Sequence, residues 1–355
     1  PYTTLFRSGP TLSGDLPTIK ENRDKFVAIS VDAALKPLLE WGVVPDVVVT
    51  CDPTALSEKK VESISPKDLG SLPLVYQVDC TPAVVKRFGG AKYVVGSNNS
   101  FTQWLANIGQ KVRKFEGIQS VSHLGFCLAD FMGADPIILA GVDLSFPGGR
   151  DHALGCAKTW GNGGKDGDNT YSEKVTNNKG EMVDTCPGFI SMIQMFEEKI
   201  NRISGKTVYN VSLEGAVIKG AKYAPLNKVA KEIRGCKEKK TALSLEAMRM
   251  ELCEERADTL AVAYSRAVSW LLEECRVLAS ICREAKVYNR HPINSKEGGW
   301  DCRRRGLERL FEDTFKHRAF LDILTDYLPR FMKYSERLAS EERLVPGRKT
   351  DASQL

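Results

Sequence analysis

The stretch SVSHLGFCLADFMGADPIILAGVDLSF (residues 120–146) decides the fold class of this chain. Leu124 and Leu128 fall on one helical face, and Gly133 is suited to end that helix because glycine adopts the left-handed conformation easily. The run Ile137–Ala140 is short and wholly apolar, which is typical of a strand buried on both faces of a parallel sheet. A helix followed by such a strand is the repeating unit of α/β proteins, so we predict that fold class.

Other segments repeat this order of turn, helix and strand. Gly9-Pro10-Thr11-Leu12 has the small residues of a turn that opens a helix. Further strands are predicted at Phe26–Val31, Val47–Thr50 and Tyr93–Val95, and polar residues follow each of them: Asp32, then Asp52, then Ser97, Asn98 and Asn99. In open parallel sheets, ligands lie beyond the carboxyl ends of the strands. We therefore predict a Rossmann-like, mostly parallel sheet with a ligand site at that edge.

The two ends of the chain have a different character. Pro1-Tyr2-Thr3-Thr4-Leu5-Phe6-Arg7-Ser8 reads like the translation of a common sequencing adapter, so we predict that residues 1–8 are not native and that a first strand is missing. Residues 226–344 carry apolar side chains at spacings of three and four and are predicted to form a helical domain. Residues 345–355 are predicted to be a frayed tail.

Composition excludes several classes of protein. The 355 residues, 42% of them hydrophobic, can bury a large core and are predicted to form two domains. A net charge of +5 is too small and dispersed for a nucleic-acid-binding protein. The ten cysteines form no Cys-x-x-Cys pair, and no stretch is long and apolar enough for a membrane span. We expect a cytoplasmic protein with no nucleic-acid partner.

The motifs together resemble the motility-associated factor (Maf) glycosyltransferases of bacterial flagella. The central domain of that family is shared with archaeal 6-hydroxymethylpterin pyrophosphokinases (MptE-like proteins) and is similar in fold to bacterial sialyltransferases. The resemblance covers roughly Gly9 to Gly220. It is carried by the Gly-Pro-Thr-Leu turn, by SVDAAL with PDVVVTCDP (residues 30–35 and 45–53), by the stretch quoted first, and by Val208-Tyr209-Asn210 with Glu214-Gly215-Ala216.

The resemblance implies an activity and its partners. Residues 9–225 would be a catalytic domain that binds a nucleotide or nucleotide sugar, with the donor a nonulosonic acid (pseudaminic or legionaminic type) linked to CMP. The acceptor would be a serine or threonine of flagellin, and the helical domain would help to dock it. No cofactor is required for this reaction, although Mg²⁺ is expected if a divalent cation is used.

Several residues at the sheet edge are predicted to bind the nucleotide. Gly9 and Thr11, at a helix amino-terminus, suit a phosphate. The similar sialyltransferases have asparagine at the positions of Asp32 and Asp52, so these aspartates would bind sugar hydroxyls or a divalent cation, whereas Asp32 also suits a helix cap. The sequence does not separate these roles.

The remaining nucleotide candidates are short polar residues and one imidazole. Ser97, Asn98 and Asn99 are favoured as a group for ligand contact, since their short side chains bond a base, ribose or phosphate without crowding it. Ser122 suits both a helix cap and a phosphate or ribose contact. His123 is weighed evenly between a nucleotide contact and a packing role.

Asp143 and His152 are the pair predicted to carry the chemistry. His152 would take the proton of the acceptor hydroxyl, and Asp143, at the end of its strand, would orient the imidazole. The alternative for His152 is a surface histidine on a mobile loop, because the similar sialyltransferases take their histidine base from farther along the chain. Glu214 is the reserve candidate base.

Three functions follow from these residues. The first is the transfer of a nonulosonic acid from CMP to flagellin, which the attached helical domain favours. The second is a pyrophosphokinase that moves diphosphate from ATP to a hydroxymethylpterin and needs Mg²⁺. The third is a nucleotide-binding module without catalysis. Fold alone does not decide among them.

Overall fold

The computed structural model describes most of the first 233 residues. The described residues are 2–54, 56–78, 80–96, 102, 113–156, 173–203, 205–233, 273, 276 and 277. The chain divides into two compact units, residues 1–98 with 112–254 and residues 99–111 with 255–355. Beyond residues 226–233, 273, 276 and 277, the predicted helical domain and tail lie outside the described residues.

An eight-stranded parallel sheet is the centre of the first unit. Its strands are β1 (Thr3–Phe6), β2 (Val27–Val31), β3 (Val47–Thr50), β4 (Leu74–Gln77), β5 (Lys92–Val95), β6 (Ile137–Ala140), β9 (Val208–Asn210) and β10 (Lys222–Tyr223), in the order β10-β9-β6-β1-β2-β3-β4-β5. Two further strands, β7 (Glu173–Thr176) and β8 (Met182–Thr185), form a separate antiparallel hairpin. The predicted fold class, a mostly parallel α/β sheet, is confirmed.

Helices connect the strands. They are α1 (Leu12–Glu21), α2 (Asp32–Glu40), α3 (Leu56–Val61), α4 (Pro66–Leu69), α5 (Pro82–Arg87), α6 (Val121–Phe131), α7 (Pro187–Arg202) and α8 (Leu226–Glu232). Helix α6 packs against β1, β2, β3 and β6, and α2 packs against β2 and β3. Every residue of β6 is fully buried, as expected for a strand covered on both faces. None of the helices in the described ranges is long and apolar enough to cross a membrane.

Strand β1 occupies the middle of the sheet, paired in parallel with β2 on one side and β6 on the other. The sequence predicted that the first strand is missing, and in the structure Thr3–Phe6 takes its place. The hydroxyls of Thr3 and Thr4 are buried without a hydrogen-bond partner, a situation that costs about 1–3 kcal/mol for each group. The segment therefore fills the strand position imperfectly, and its non-native origin stays a prediction.

The order of the strands creates a crevice. From β1 the chain passes through α1 to β2 on one side, whereas β6 pairs with β1 on the other side after a later crossover. The carboxyl ends of β1 and β6 therefore lie at a topological switch point, the place where open α/β sheets bind ligands. We call the space at these two strand ends the switch-point crevice.

Candidate functional site

Two glycines bring the walls of the switch-point crevice into contact. The backbone N–H of Gly9 donates to the carbonyl oxygen of Gly141 at 2.9 Å. A Cβ on Gly9 would lie 2.4 Å from that oxygen and 2.6 Å from a carboxylate oxygen of Asp143. Gly141 also has a φ of +66°, which side-chain-bearing residues rarely adopt. Glycine at both positions is therefore needed for the loops after β1 and β6 to pack this closely.

Asp143 is tied to the start of α1. Its fully buried carboxylate accepts a 2.8 Å hydrogen bond from the backbone N–H of Thr11 and a second bond from the Thr11 hydroxyl. Ser212, in the loop after β9, lies 3.0 Å from that hydroxyl. Burial raises the pKa of Asp143, and the bonds from Thr11 oppose the rise. We call Thr11, Asp143 and Ser212 the threonine cluster.

This arrangement bears on the predicted phosphate contacts of Gly9 and Thr11, which stay a prediction. Both N–H groups already donate within the protein, to the Gly141 carbonyl and to the Asp143 carboxylate respectively. The amino-terminus of α1 does hold an anion, as its dipole favours, but that anion is a side chain of the chain itself. Asp143 therefore fixes the geometry of the crevice.

Asp143 and His152, the predicted catalytic pair, have different side-chain partners in the structure, and their catalytic role stays a prediction. His152 Nδ1 lies 3.1 Å from the hydroxyl of Ser8, while the hydrogen bonds of the Asp143 side chain go to Thr11. The backbone N–H of Ala153 donates to the Ser8 carbonyl, which holds the His152 segment beside the loop after β1. Burial lowers the pKa of His152, and the charge of Arg7 lowers it further, so the imidazole is neutral at pH 7.

Glu214 lies at the rim of the site. It follows β9, is exposed, and forms a 2.8 Å ion pair with Lys179 from the turn between β7 and β8. The neighbouring Gly215 packs against Asp143, because a Cβ there would lie 2.9 Å from the Asp143 Cα. The loop is therefore near the crevice, while the Glu214 carboxylate itself is held by a lysine.

A second polar cluster lies at the carboxyl ends of β2 and β3. The Lys60 ammonium is 3.3 Å from a carboxylate oxygen of Asp32 and 3.1 Å from one of Asp52. Asp32, which begins α2, also accepts from the backbone N–H of Ala33 and the hydroxyl of Thr50. We call Asp32, Asp52 and Lys60 the lysine cluster.

The lysine cluster is largely shielded from water, since the side chains of Lys60 and Asp32 are 12% and 2% exposed. Burial alone would lower the pKa of Lys60, but the two carboxylates outweigh it and raise that pKa. Burial alone would raise the pKa of Asp52, but Lys60 and the bonds from Thr54 outweigh it and lower that pKa. Both shifts favour the charged form, the ammonium of Lys60 and the carboxylate of Asp52.

This geometry bears on the predicted divalent cation. Both aspartates direct a carboxylate oxygen at the same ammonium, and the other oxygen of each accepts hydrogen bonds from protein groups. In this arrangement the pair does not fit Mg²⁺, because the position between the carboxylates already carries a positive charge. Within the described ranges, no group of three or more acidic, histidine or cysteine side chains is arranged for a metal ion.

His123 takes the packing role. Its Nε2 donates to the Met192 carbonyl at 3.0 Å, its Nδ1 lies 3.2 Å from the Ser120 hydroxyl, and its ring stacks on Phe196 with centroids 4.4 Å apart. Burial lowers the pKa of His123 to about 3. Both ring nitrogens therefore face protein groups, as the packing alternative expects, and the nucleotide contact stays a prediction.

The structure describes only some of the other residues that were predicted to bind the nucleotide. Ser122 is buried near the amino-terminus of α6, with its hydroxyl 2.8 Å from that of Ser120. Ser97, Asn98 and Asn99 lie outside the described residues, and their role stays a prediction. Asp52 keeps a partly exposed carboxylate at the sheet edge, 27% exposed, where a ligand could reach it.

Two functional candidates escaped the sequence analysis. Lys60 carries no signal beyond its place in α3, so only tertiary contacts reveal its partners. Asp15, in the first turn of α1, could have been noted as a carboxylate one helical turn after Thr11. Its pKa is raised to about 7, first by burial and then by the charge of Asp143.

Comparisons with known proteins agree with the fold. Residues 5–149 match the model of the 6-hydroxymethylpterin diphosphokinase MptE-like family. The solved structure of the Maf glycosyltransferase from Magnetospirillum magneticum AMB-1 is similar with a TM-score of 0.56 and 20% sequence identity, over 77% of this chain and 42% of that chain. This chain thus spans less than half of that protein's length.

Comparison with curated protein sequences gives no match. At 20% identity, the likeness to the solved structure shows the fold and leaves the activity open. The family match, by contrast, covers the strands and turns that build the switch-point crevice and the lysine cluster. The match over residues 5–149 and the shared fold support a Maf/MptE-like assignment for this part of the chain.

Proposed function

We propose that this chain is the catalytic part of a glycosyltransferase that moves a nonulosonic acid from its CMP donor to a serine or threonine of flagellin. The family and the fold support a transferase that uses a nucleotide-linked donor. The donor, the sugar and the acceptor come from the resemblance of the motifs to the flagellar enzymes. The site would be the carboxyl edge of the sheet, from the lysine cluster to the switch-point crevice.

One observation carries the choice of reaction: Lys60 forms ion pairs with both Asp32 and Asp52 and occupies the position between their carboxylates. Diphosphate transfer from ATP places charge on several phosphate oxygens and depends on Mg²⁺ to offset it. These two aspartates are the predicted metal ligands, and a lysine holds them instead. Departure of CMP from an anomeric carbon develops charge on a single phosphate, a reaction for which a fixed protein cation suffices.

In this proposal, different residues of the chain would bind the nucleotide and hold the geometry of the crevice. Asp52 and the lysine cluster would hold the nucleotide, and Asp143, tied to Thr11, would keep the two walls of the crevice in register. In the reaction, the acceptor oxygen bonds to the anomeric carbon while the bond from that carbon to the phosphate oxygen breaks. CMP keeps the electron pair, and the hydroxyl proton passes to a base of the protein.

The family description favours a second candidate, the transfer of diphosphate to a hydroxymethylpterin. Calorimetry of the full chain with CMP and with ATP, each with and without Mg²⁺, separates the two. Binding of CMP that is independent of Mg²⁺, followed by release of CMP from CMP-pseudaminic acid in the presence of flagellin, is the expected result. Binding of ATP only with Mg²⁺, without response to CMP, would overturn the proposal in favour of the pyrophosphokinase.

A matched pair of variants locates the binding. Asp52→Ala removes the oxygens that would accept from the hydroxyls of the nucleotide, and it is expected to weaken CMP binding about tenfold, corresponding to about 1.4 kcal/mol. Asp184→Ala changes an exposed aspartate of β8 that is paired with Lys174, and it is expected to bind CMP like the unchanged chain. Nucleotide binding without turnover of either donor would instead support the non-catalytic module.

A further inference from the structure

A thiol and an ammonium group lie side by side where α6 meets α7. The Nζ of Lys199 on α7 donates to the Sγ of Cys127 on α6 at 3.1 Å, although 72 residues separate the two along the chain. Both side chains are partly exposed. The fold therefore brings a sulfur nucleophile and an amine into direct contact, at a place that small molecules in the solvent can reach.

The turn before α6 holds the lysine nitrogen at the thiol. Lys199 Nζ also donates to the Glu116 carbonyl at 2.5 Å, and the Cys127 Sγ lies 3.9 Å from the same oxygen. Gly117, the next residue, has a φ of +61°, and a Cβ there would lie 3.3 Å from Lys199 Nζ. The turn thus covers one side of the ammonium and directs it toward the sulfur.

Lys199 differs from other lysines of the chain in its acceptors. Lys60, Lys179 and Lys206 all form ion pairs with carboxylates. Among the described residues, the hydrogen bonds of Lys199 go to a backbone carbonyl and a thiol, and no carboxylate lies within ion-pair distance of its nitrogen. The nitrogen of Lys199 therefore faces a sulfur that can be oxidised.

The two helices are also packed together beside this contact. The ring of Phe126, the neighbour of Cys127, meets the ring of Phe196 edge-on with centroids 5.8 Å apart. Phe196 precedes Lys199 by one turn of α7, so the two share a face of that helix. Because this packing fixes the backbones, the sulfur and the nitrogen need only side-chain adjustment to approach each other.

We infer that Cys127 and Lys199 form a site of oxidative modification, at which a peroxide drives the formation of a covalent sulfur–nitrogen bond between the two side chains. The inference does not depend on the function proposed above. Sulfenic acids condense with a backbone nitrogen in proteins, and here a lysine nitrogen lies in contact with the sulfur.

The reaction has two steps. In the first, the thiolate attacks one oxygen of hydrogen peroxide, the oxygen–oxygen bond breaks, and the products are the sulfenic acid and water. In the second, the neutral amine of Lys199 attacks the sulfenic sulfur of Cys127, and the sulfur–oxygen bond breaks. The oxygen leaves as water with a proton from the amine. Peroxide is reduced, and the sulfur is oxidised by two electrons in total.

The charged groups around Cys127 affect the first step, since the thiolate is the reactive form. Burial raises the pKa of Cys127, the charge and hydrogen bond of Lys199 oppose the rise, and the charge of Asp130 adds to it. Glu116 and Arg202, which lie near the same turn, are paired with each other. We therefore expect slow oxidation at neutral pH and faster oxidation at mildly alkaline pH.

The test is treatment of the full chain with hydrogen peroxide at mildly alkaline pH, followed by tryptic digestion and mass spectrometry. The expected product is a linked pair of peptides that contains Cys127 and an uncleaved Lys199. Its mass is that of the two peptides less two hydrogen atoms, and dithiothreitol separates them. The melting temperature of the oxidised chain is expected to rise, because a cross-link that closes a long loop constrains the unfolded chain.

Two variants serve as controls. Lys199→Arg keeps a positive charge and a donor for the Glu116 carbonyl, but the guanidinium stays protonated and cannot attack sulfur. It is expected to give a sulfenic acid at Cys127, trapped by dimedone, without the cross-link and without the rise in melting temperature. Cys156→Ser removes another partly buried thiol and is expected to form the cross-link like the unchanged chain.

The opposite results would overturn the inference. One is oxygen addition at Cys127 of the unchanged chain with no linked peptides, which would show that the Lys199 nitrogen does not react. Another is a link from Cys127 to a different residue, or a link that persists in Lys199→Arg. A Cys127 that stays reduced while Cys156 is oxidised would also count against the site.

Discussion

The lysine cluster and the threonine cluster lie at the same edge of one sheet, yet the aspartates in the two clusters have different kinds of partner. In the lysine cluster, two carboxylates share one ammonium and outweigh burial, so that the pKa of Lys60 is raised. In the threonine cluster, one fully buried carboxylate accepts from a backbone N–H and a hydroxyl, and its pKa is raised by burial. The same residue type at a strand end is therefore an ion-pair member in one place and a helix-end anchor in the other.

This difference shows that the surroundings of an aspartate, and not its place at the end of a strand, determine how readily its carboxylate binds a proton. Opposite charge favours the ionised form, whereas burial favours the neutral one. Asp15 of α1, whose pKa is raised by burial and by the charge of Asp143, has no side-chain donor among the described residues and is a further case.

The largest effect is expected when the ammonium of Lys60, which Asp32 and Asp52 share, is removed. Lys60→Met leaves Asp32 and Asp52 facing each other at a largely buried site, and removing one partner of a buried ion pair costs about 3–5 kcal/mol. We expect a loss of that size in the free energy of unfolding, measured by urea denaturation. We also expect Mg²⁺ to restore part of it, because the two carboxylates would then be free to bind the ion.

Lys59→Met is the control, since Lys59 is the exposed neighbour in the same helix. It is expected to change the free energy of unfolding by less than about 0.5 kcal/mol. Equal stability of the two variants would show that the lysine cluster does not hold β2 and β3 together.

A smaller effect is expected from the threonine cluster. Asp143→Asn keeps the shape of the side chain but removes the charge that accepts from Thr11, and a hydrogen bond to a charged group contributes about 1.5–3 kcal/mol. We expect a loss in that range by urea denaturation. Asp184→Asn, on the exposed surface of β8, serves as the control with no measurable loss. If Asp143→Asn is as stable as the unchanged chain, then Asp143 does not anchor α1, and the difference drawn between the two clusters is wrong.

The smallest effect is expected from Glu214, which lies at the rim of the site. Glu214→Gln removes the ion pair between Glu214 and Lys179. Both side chains of this pair are well exposed, and exposed ion pairs contribute little to stability. We expect no measurable change in the melting temperature and less than a twofold change in the rate of CMP release. A large loss of rate with unchanged CMP affinity would support Glu214 as the base.

Particular elements show how much the sequence could predict. The helix expected around Leu124 and Leu128 is α6, and the strand Ile137–Ala140 was predicted with its observed bounds. Asp143 was predicted as a site residue, but its hydrogen-bond partner was not, because Thr11 lies 132 residues away. His123 was weighed evenly between two roles, and the structure adds a contact with Met192 on α7 that the sequence could not indicate.

The sequence by itself determined the α/β class, the parallel strands and the edge where polar residues collect, because apolar runs and their spacing record local burial. Only the tertiary structure decided which charges meet: Lys60 with Asp32 and Asp52, Thr11 with Asp143, and Asp15 with no donor at all within the described part of the chain. The physical reason is that a strand or helix depends on neighbours along the chain, whereas the protonation of an acid depends on charges and burial that distant segments bring to it.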